Sequence, residues 1–180
     1  MRLFTCINLS KKEKSKIKRY ADLLKIANVG GRFVDYDNYH ITLAFIGETD
    51  DADTAASVLR GINVFPFTLT VNAVGSFKDV LWVGPTDSEE ITRLMRLTAN
   101  RLRCSGYDIE KQKPEPHITI SRATKIPRGM LIPLIEPVEV SVNRISLMRS
   151  DFFGSSVRYT EIFGKDLNNG QDSPINQEDI

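Results

Sequence analysis

The sequence predicts an α+β protein of two pseudo-symmetric lobes, each a mostly antiparallel sheet with helices on its outer face. Segments with strand and helix patterns are mixed along the chain and joined by short loops. The order strand, helix, strand occurs twice. The tetrapeptide H-I-T-[LI] also occurs twice, and it begins at the two histidines of the chain, His40 and His117. We therefore expect the duplicated H-x-T strands to face a central cleft.

The first module runs from a strand at residues 3–9 to a strand at residues 40–46. Ser10 and Glu13 have capping-box spacing, which predicts a helix start. The Gly-Gly pair at 30–31 predicts the end of that helix. A loop rich in Asp and Asn then leads to the second strand.

The second module repeats this order, with a strand at residues 80–84 and a capping box predicted from Thr86 and Glu89. A helix with one apolar face follows, and then the second H-I-T-I strand. The strand starts (positions 3 and 80) and the histidines (positions 40 and 117) are both 77 residues apart. This common offset indicates an internal duplication.

Two further strands repeat at a different offset. Residues 66–72 and 137–143 both follow the pattern of an edge proline and alternating apolar residues, 71 residues apart. A small helix is predicted at 51–59, where alanines and a leucine share one face. We predict a single bilobed domain over residues 1–163 and a polar, disordered tail over 164–180.

The composition is that of a folded protein whose charges nearly balance. A chain of 180 residues with 41% hydrophobic residues has enough apolar side chains for a sizeable core. Because the formal net charge is only +1, a polyanionic partner must be held by a local cluster of basic groups. Cys6 and Cys104 lack C-x-x-C spacing and are predicted to be core thiols. No apolar run reaches the ~20 residues of a membrane span, and a secretory signal pattern is absent. We expect a cytoplasmic, monomeric protein without a membrane partner.

The residues around the histidines predict where the site lies. Because side chains alternate along a strand, each H-x-T strand presents its polar residues on one face. The predicted polar faces consist of His40, Thr42 and Ala44 in the first strand and of His117, Thr119 and Ser121 in the second.

Two imidazoles and two hydroxyls that converge on one point suit the chemistry of a phosphate ester. Imidazole titrates near pH 6.5, so one neutral and one protonated ring can serve as base and acid together. Threonine hydroxyls can donate to phosphate oxygens whose charge grows in the transition state. Arg122 follows the second motif and is the predicted bidentate phosphate ligand.

Other interpretations of the same residues stay open. A histidine on a strand can simply hydrogen-bond at a sheet edge, and Arg122 can be a solvated surface residue. A metal site is disfavoured, because two histidines without acidic residues at ligand spacing fall short of the three or four ligands that zinc or iron needs.

The paired motifs resemble those of the two-histidine (2H) phosphoesterase superfamily. Within it, the chain is similar to the RNA 2′,3′-cyclic phosphodiesterases, also called 2′-5′ RNA ligases, over about residues 2–163. The resemblance depends on segments 1–9, 38–47, 80–84 and 116–122, and on Ser150, Gly154 and Tyr159.

The resemblance implies an enzyme with neither a metal nor a nucleotide cofactor. It would open a terminal 2′,3′-cyclic phosphate of RNA to a 2′-phosphomonoester, with tRNA-derived ends among its substrates and 2′-5′ ligation as the reverse reaction. By position, His40 would be the general acid and His117 the general base, while Thr42, Thr119 and Arg122 would bind the phosphate.

Departures from the family pattern lie at the rim of the predicted cleft. Phe33, Tyr39 and Phe77 are the nearest aromatic candidates for base stacking, with core packing as the alternative for each. Two alternative functions stay open: a phosphodiesterase for another small cyclic phosphate, and an RNA-binding module with little turnover.

Overall fold

The part of the chain that the structure describes contains ten β-strands and three α-helices. This computed structural model describes residues 1–86, 88–111, 113–154 and 156–167. The helices are α1 (Lys11–Ile26), α2 (Ala52–Arg60) and α3 (Glu89–Cys104), with a short 3₁₀ helix at Tyr36–Asn38. The strands are β1 (Arg2–Asn8), β2 (Gly30–Phe33), β3 (His40–Glu48), β4 (Phe67–Val71), β5 (Ala73–Phe77), β6 (Val80–Gly84), β7 (Ile118–Lys125), β8 (Val138–Val142), β9 (Arg144–Phe153) and β10 (Ser156–Asp166).

The strands form two four-stranded sheets and one two-stranded sheet. The first sheet has the order β10-β9-β1-β3, the second β2-β7-β6-β5, and β4 pairs with β8. Every strand pair is antiparallel. The predicted α+β class with mostly antiparallel sheets is therefore confirmed. The two H-x-T strands, β3 and β7, lie in different sheets and contact each other.

Strand order follows the sequence repeat. The first sheet contains β9-β1-β3 and the second β5-β6-β7, so corresponding strands are neighbours in the same order. Pairing refines the offset: Thr5 lies opposite Ala44, and Leu81 lies opposite Ser121. The first strands of the modules thus align 76 residues apart (positions 5 and 81), one fewer than the sequence alone indicated. A twofold relation between the lobes stays a prediction.

The three helices contribute to one hydrophobic core. α1 packs against β8, α3 packs against β3, and α2 contacts α3 together with β9 and β10. Their apolar faces belong to a single hydrophobic cluster that includes Ile17 of α1, Leu59 of α2 and Ile91 of α3, each fully buried. Such burial of an aliphatic side chain contributes about 1.5–3 kcal/mol. None of the described helices is long and apolar enough to cross a membrane.

The predicted capping box of α1 is confirmed, but two helix boundaries differ from prediction. The Ser10 hydroxyl accepts from Glu13 N, and the Glu13 carboxylate accepts from Ser10 N. α1 ends at Ile26, before the Gly-Gly pair, which begins β2 instead. Gly31 has φ +130°, and an added Cβ would lie 2.5 Å from Ser121 Oγ, so the glycine permits close pairing with β7.

The cap predicted for α3 is also wrong. Ser88 is the N-cap and accepts from Ile91 N. The N–H and hydroxyl of Thr86 instead donate to the side chain of Asn72. Thr86 is therefore held two residues before the N-cap, where its side chain is engaged by Asn72 and does not cap α3.

The end of the folded region lies beyond the predicted boundary. β10 continues through Asp166, and Leu167 is buried against the core. Arg144 forms ion pairs with Glu161 and Asp166, so the polar residues after 163 are tied to β9. The rest of the predicted tail, residues 168–180, lies outside the described residues. Cys6 is buried as predicted, whereas Cys104 is exposed at the end of α3.

Candidate active site

The two histidine rings are held in the same way. His40 Nδ1 is 2.7 Å from the carbonyl oxygen of Asn38, and His117 Nδ1 is 2.8 Å from that of Glu115. In each case the partner is the residue two positions earlier. A carbonyl only accepts, so Nδ1 carries the hydrogen in both rings and Nε2 is the basic nitrogen. Each ring therefore has the tautomer in which Nε2 is available for proton transfer.

Thr42 lies beside the basic nitrogen of His40. Its hydroxyl oxygen is 3.1 Å from His40 Nε2. A neutral Nε2 accepts the hydrogen bond that the hydroxyl donates. The H-x-T spacing thus places a hydroxyl and an imidazole nitrogen at one point of the strand, as the period of two predicts.

A β-bulge changes the face assignment after Thr42. The pairing of β1 with β3 shifts register between Thr5 and Cys6, which lie opposite Ala44 and Thr42. Leu43 and Ala44 are both buried, and Phe45 is 61% exposed. The predicted placement of Ala44 beside His40 and Thr42 is therefore wrong, because the extra residue of a bulge reverses the alternation beyond it.

The second motif has the corresponding bulge. Leu81 lies opposite Ser121 and Trp82 opposite Thr119, so Ile120 is the extra residue of β7. Ile120 and Ser121 are both fully buried, which overturns the predicted exposure of Ser121 on the polar face. Arg122, which follows, is exposed. Without the bulge Arg122 would point to the core, so the bulge returns it to the side of Thr119.

Two aromatic rings that the sequence did not indicate as site residues lie beside His40. The rings of Phe4 and Tyr159 lie 5.0 Å and 5.3 Å from the His40 ring. Phe4, Cys6 and Met148 form a small buried cluster on the sheet face opposite the main core, and Tyr159 packs against it. Phe45 extends this group, 6.0 Å from Phe4. The alternation of residues along β1 could have indicated this cluster, because Phe4 and Cys6 lie on the face of the strand that does not pack against the main core.

His117 has its own aromatic neighbours. Phe77 lies edge-on 5.2 Å from its ring, and Trp82 stacks on Phe77 at 5.2 Å. These three residues line a cavity of about 330 Å³ together with Lys113 and residues before and in the first turn of α3. Phe77, predicted as a stacking residue, is thus adjacent to a catalytic candidate.

The other two predicted stacking residues lie elsewhere. Tyr39 is 2% exposed and part of the core, so its ring offers no free face to a base. Burial raises the pKa of its hydroxyl to about 12. Phe33 packs against the core, with Lys25 Nζ 4.9 Å from its ring centroid. A base-stacking role does not fit Tyr39 and has no support from the contacts of Phe33.

The pKa of His40 reflects burial and positive charges around the ring. The pKa of His40 is lowered to about 4, mainly by burial and in smaller part by the positive charges of His117, Lys14 and Arg122, while the hydrogen bond to Asn38 opposes the shift. The contact between β3 and β7 brings the strands of the two motifs together. Lys14 Nζ donates to the Asp37 carbonyl at 2.5 Å, on the first-lobe side. A local basic cluster that binds a polyanionic partner stays a prediction.

Among residues 1–86, 88–111, 113–154 and 156–167, no group of three or more His, Cys, Asp or Glu side chains is placed to hold a metal ion. Metal independence stays a prediction, to be tested by activity.

Solved structures share this arrangement of strands and helices. The crystal structure of Escherichia coli LigT complexed with 3′-AMP superimposes with a TM-score of 0.81 at 26% identity, over 92% of this chain and 97% of LigT. A structure of TT0787 from Thermus thermophilus has a TM-score of 0.72 at 22% identity, over 93% of this chain and 98% of that protein, which shows the fold alone.

Curated relatives match most of the chain. The RNA 2′,3′-cyclic phosphodiesterase of Thermotoga maritima is 31% identical over 163 residues, 83% of this chain and 87% of the relative. The Escherichia coli protein of the same name is 32% identical over 145 residues, 73% of this chain and 77% of the relative. The family model for the 2′-5′ RNA ligase superfamily matches residues 34–151. The chain therefore belongs to the 2′-5′ RNA ligase superfamily, as the paired H-x-T motifs predicted.

Proposed function

We propose that this protein hydrolyses the terminal 2′,3′-cyclic phosphate of RNA to a 2′-phosphomonoester without a metal ion. The observation that carries the proposal is the shared construction of the two histidines: each ring has Nδ1 held by a backbone carbonyl, which leaves Nε2 as the nitrogen for proton transfer, and the two H-x-T strands contact each other. The curated relatives named RNA 2′,3′-cyclic phosphodiesterase support the choice of substrate.

In the proposed reaction, a water oxygen attacks phosphorus as His117 Nε2 takes the water proton. The bond from phosphorus to the 3′ oxygen breaks, and that oxygen takes a proton from His40 Nε2. The products are a 2′-phosphate and a 3′-hydroxyl. Thr42 and Thr119 donate to the non-bridging oxygens, and the planar fork of Arg122 binds two of them as their charge grows.

The low pKa of His40 bears on its role. With a pKa of about 4, the ring is neutral at pH 7 in the free protein, whereas a general acid must be protonated. A bound phosphate anion offsets the positive charges of Lys14 and Arg122 and thereby raises the pKa. The acid role of His40 therefore requires that the substrate itself promotes protonation.

This requirement can be tested by NMR titration, because the chain has 2 histidines. We expect one imidazole signal with a midpoint of about 4 in the free protein, absent in His40→Asn. Inorganic phosphate should move that midpoint upward by one unit or more, a stabilisation of the charged ring by about 1.4 kcal/mol or more. A His40 midpoint near 6.5 in the free protein would contradict the burial argument. A midpoint that phosphate leaves unchanged would make His40 the base instead.

Base contacts are proposed for two aromatic rings, the exposed Phe45 and the half-buried Phe77. Phe45, two positions beyond the buried Leu43, presents an exposed ring beside Phe4 on the His40 side. Phe77 borders the cavity next to His117. A terminal base stacked on either ring would place its ribose phosphate between the histidines. The biological substrates that we propose are RNA ends in the cytoplasm, tRNA-derived ends included, acted on by a monomer.

The deciding experiment is hydrolysis of a short oligoribonucleotide that ends in a 2′,3′-cyclic phosphate, with excess EDTA present. We expect turnover at an undiminished rate, because imidazoles and hydroxyls supply the acid, the base and the phosphate ligands. The product should be a 2′-phosphate, distinguished from a 3′-phosphate by NMR of the phosphorus. Loss of activity on chelation, restored by zinc or magnesium, would overturn metal independence. Binding without turnover would favour an RNA-binding module.

A further inference from the structure

A second exposed aromatic residue lies on the sheet that carries His40. Phe152, near the end of β9 where the chain turns into β10, is 60% exposed. The Arg2 guanidinium lies over its ring, 5.6 Å from the centroid. A large apolar ring paired with a cation on a protein surface is the combination that binds single-stranded nucleic acid, by stacking and by charge.

Strand register places this pair on the same face as the active site. Met148 belongs to the cluster formed with Phe4, whereas its neighbour Leu147 belongs to the main core. Pairing of β9 with β1 and with the start of β10 is regular from Met148 to Phe152, so Met148 and Phe152 share a face. Arg2 shares that face with Phe4, two residues along β1, about 6–7 Å away. A continuous surface therefore runs from His40 past Phe4 to Arg2 and Phe152.

Arg2 is free to bind an anion. Among the described residues Arg2 forms no ion pair, whereas Arg149 is paired with Asp151 and Arg144 with Glu161 and Asp166. The positive charges of Arg122 and Arg2 both lower the pKa of Tyr159, against the burial that raises it. Tyr159 lies opposite Ser150 of β9, which lies opposite Arg2 of β1, and the Tyr159 ring is 5.3 Å from that of His40, so Tyr159 links the two ends of this face.

We propose that Arg2 and Phe152 form a subsite for the nucleotide on the 5′ side of the terminal one, with Arg2 on the linking phosphodiester and Phe152 stacked on the base. The inference rests on the proposed function, because His40 must mark the terminal phosphate. It implies that the preferred substrate is an oligoribonucleotide, since a mononucleoside 2′,3′-cyclic phosphate reaches the histidines but leaves the subsite vacant.

The chain contains a matched control for this subsite. Phe153 is also 60% exposed, and Arg158 lies 5.4 Å from its ring centroid. The two pairs have the same chemistry, and both phenylalanines lie at the end of β9, although Arg2 is on β1 and Arg158 on β10. Phe153 follows Phe152 directly, so the alternation of β9 places it on the opposite face, away from His40.

The test compares kcat/KM for a diribonucleotide and for a mononucleoside, each ending in a 2′,3′-cyclic phosphate. We expect the unaltered protein to favour the diribonucleotide, and Phe152→Ala and Arg2→Ala each to reduce that preference by about 5-fold or more, the lower end of what stacking on an aromatic ring contributes. Phe152→Trp should retain the preference. Hydrolysis of the mononucleoside substrate should be unchanged in all three variants.

Phe153→Ala and Arg158→Ala should leave the preference intact, with thermal melts to confirm that each variant folds. Equal kcat/KM for both substrates in the unaltered protein would overturn the subsite while the proposed function stands. An equal loss of preference in the Phe153 and Phe152 variants would also overturn it, because the effect would then come from the hairpin as a whole. If neither substrate is hydrolysed, the proposed function itself fails.

Discussion

Replacing His40 or His117 by alanine is expected to lower kcat by about 100-fold or more, the usual contribution of a positioned general acid or base. Each variant lacks one of the two imidazoles, the acid or the base, that transfer protons in the same step of the proposed reaction. The double variant should be little worse than either single one, because residues that act as one catalytic unit are not additive. Single-turnover rates on an oligoribonucleotide with a 2′,3′-cyclic phosphate end measure the effect.

Folding of these variants needs a separate check, since His40 contacts Phe4 and Tyr159. His40→Asn retains a polar side chain in the same space, and its thermal melt should stay close to that of the unaltered protein. Near-normal turnover by either alanine variant would refute the acid–base pair. Additive losses in the double variant would indicate that the two rings act in separate steps.

The repeat explains why so much of the site was predictable. Duplicated H-x-T strands in a chain with 2 histidines leave few candidate groups, and the period of a strand then fixes the relation of His40 to Thr42. The strands β1, β3, β6 and β7 follow from apolar alternation, because their core faces are rich in Ile, Leu and Val. The capping box at Ser10 is equally local, since all its atoms lie within one helical turn.

Long-range pairing determined what the sequence could not predict. β2 begins at the glycine pair that predicted a helix end, because an unpaired edge of β7 accepts it as a neighbour. The bulges in β3 and β7 depend on register with β1 and β6, so Ala44 and Ser121 were assigned to the wrong face. Both residues are small and occupy equivalent positions, 44 and 121. Their small size is the only local sign that these side chains are buried below the H-x-T motif.

The low pKa of His40 has a similar origin. It arises from burial by Phe4 and Tyr159 and from charges on α1 and β7, which are distant in sequence. From the sequence alone, the expected pKa of an imidazole is the reference value of about 6.5. Because Phe4 and Tyr159 bury the ring of His40, its proton affinity differs from that of a free imidazole, and such tuning of a pKa by the surroundings suits acid–base work.

Arg122→Lys is expected to lower kcat by about 10-fold or more, although the positive charge is retained. The bulge at Ile120 directs Arg122 to the side of Thr119, where its charge acts on His40 and Tyr159. A planar guanidinium binds two phosphate oxygens at once, whereas an ammonium binds as a point charge. Steady-state kinetics should therefore show a loss in kcat that exceeds any rise in KM, because the second bond strengthens as charge develops in the transition state.

Arg96→Lys provides the matched control, since Arg96 is an exposed arginine on α3 and the substitution is the same. Its kinetics and melting temperature should be unchanged. Thr42→Ala and Thr119→Ala should resemble Arg122→Lys in affecting kcat more than KM, while the serine variants keep the hydroxyl and most of the activity. An Arg122→Lys effect confined to KM would reduce Arg122 to ground-state binding of the phosphate. Kinetics equal to those of Arg96→Lys would make it a solvated surface residue and leave the two threonines, with the histidines, as the whole phosphate site.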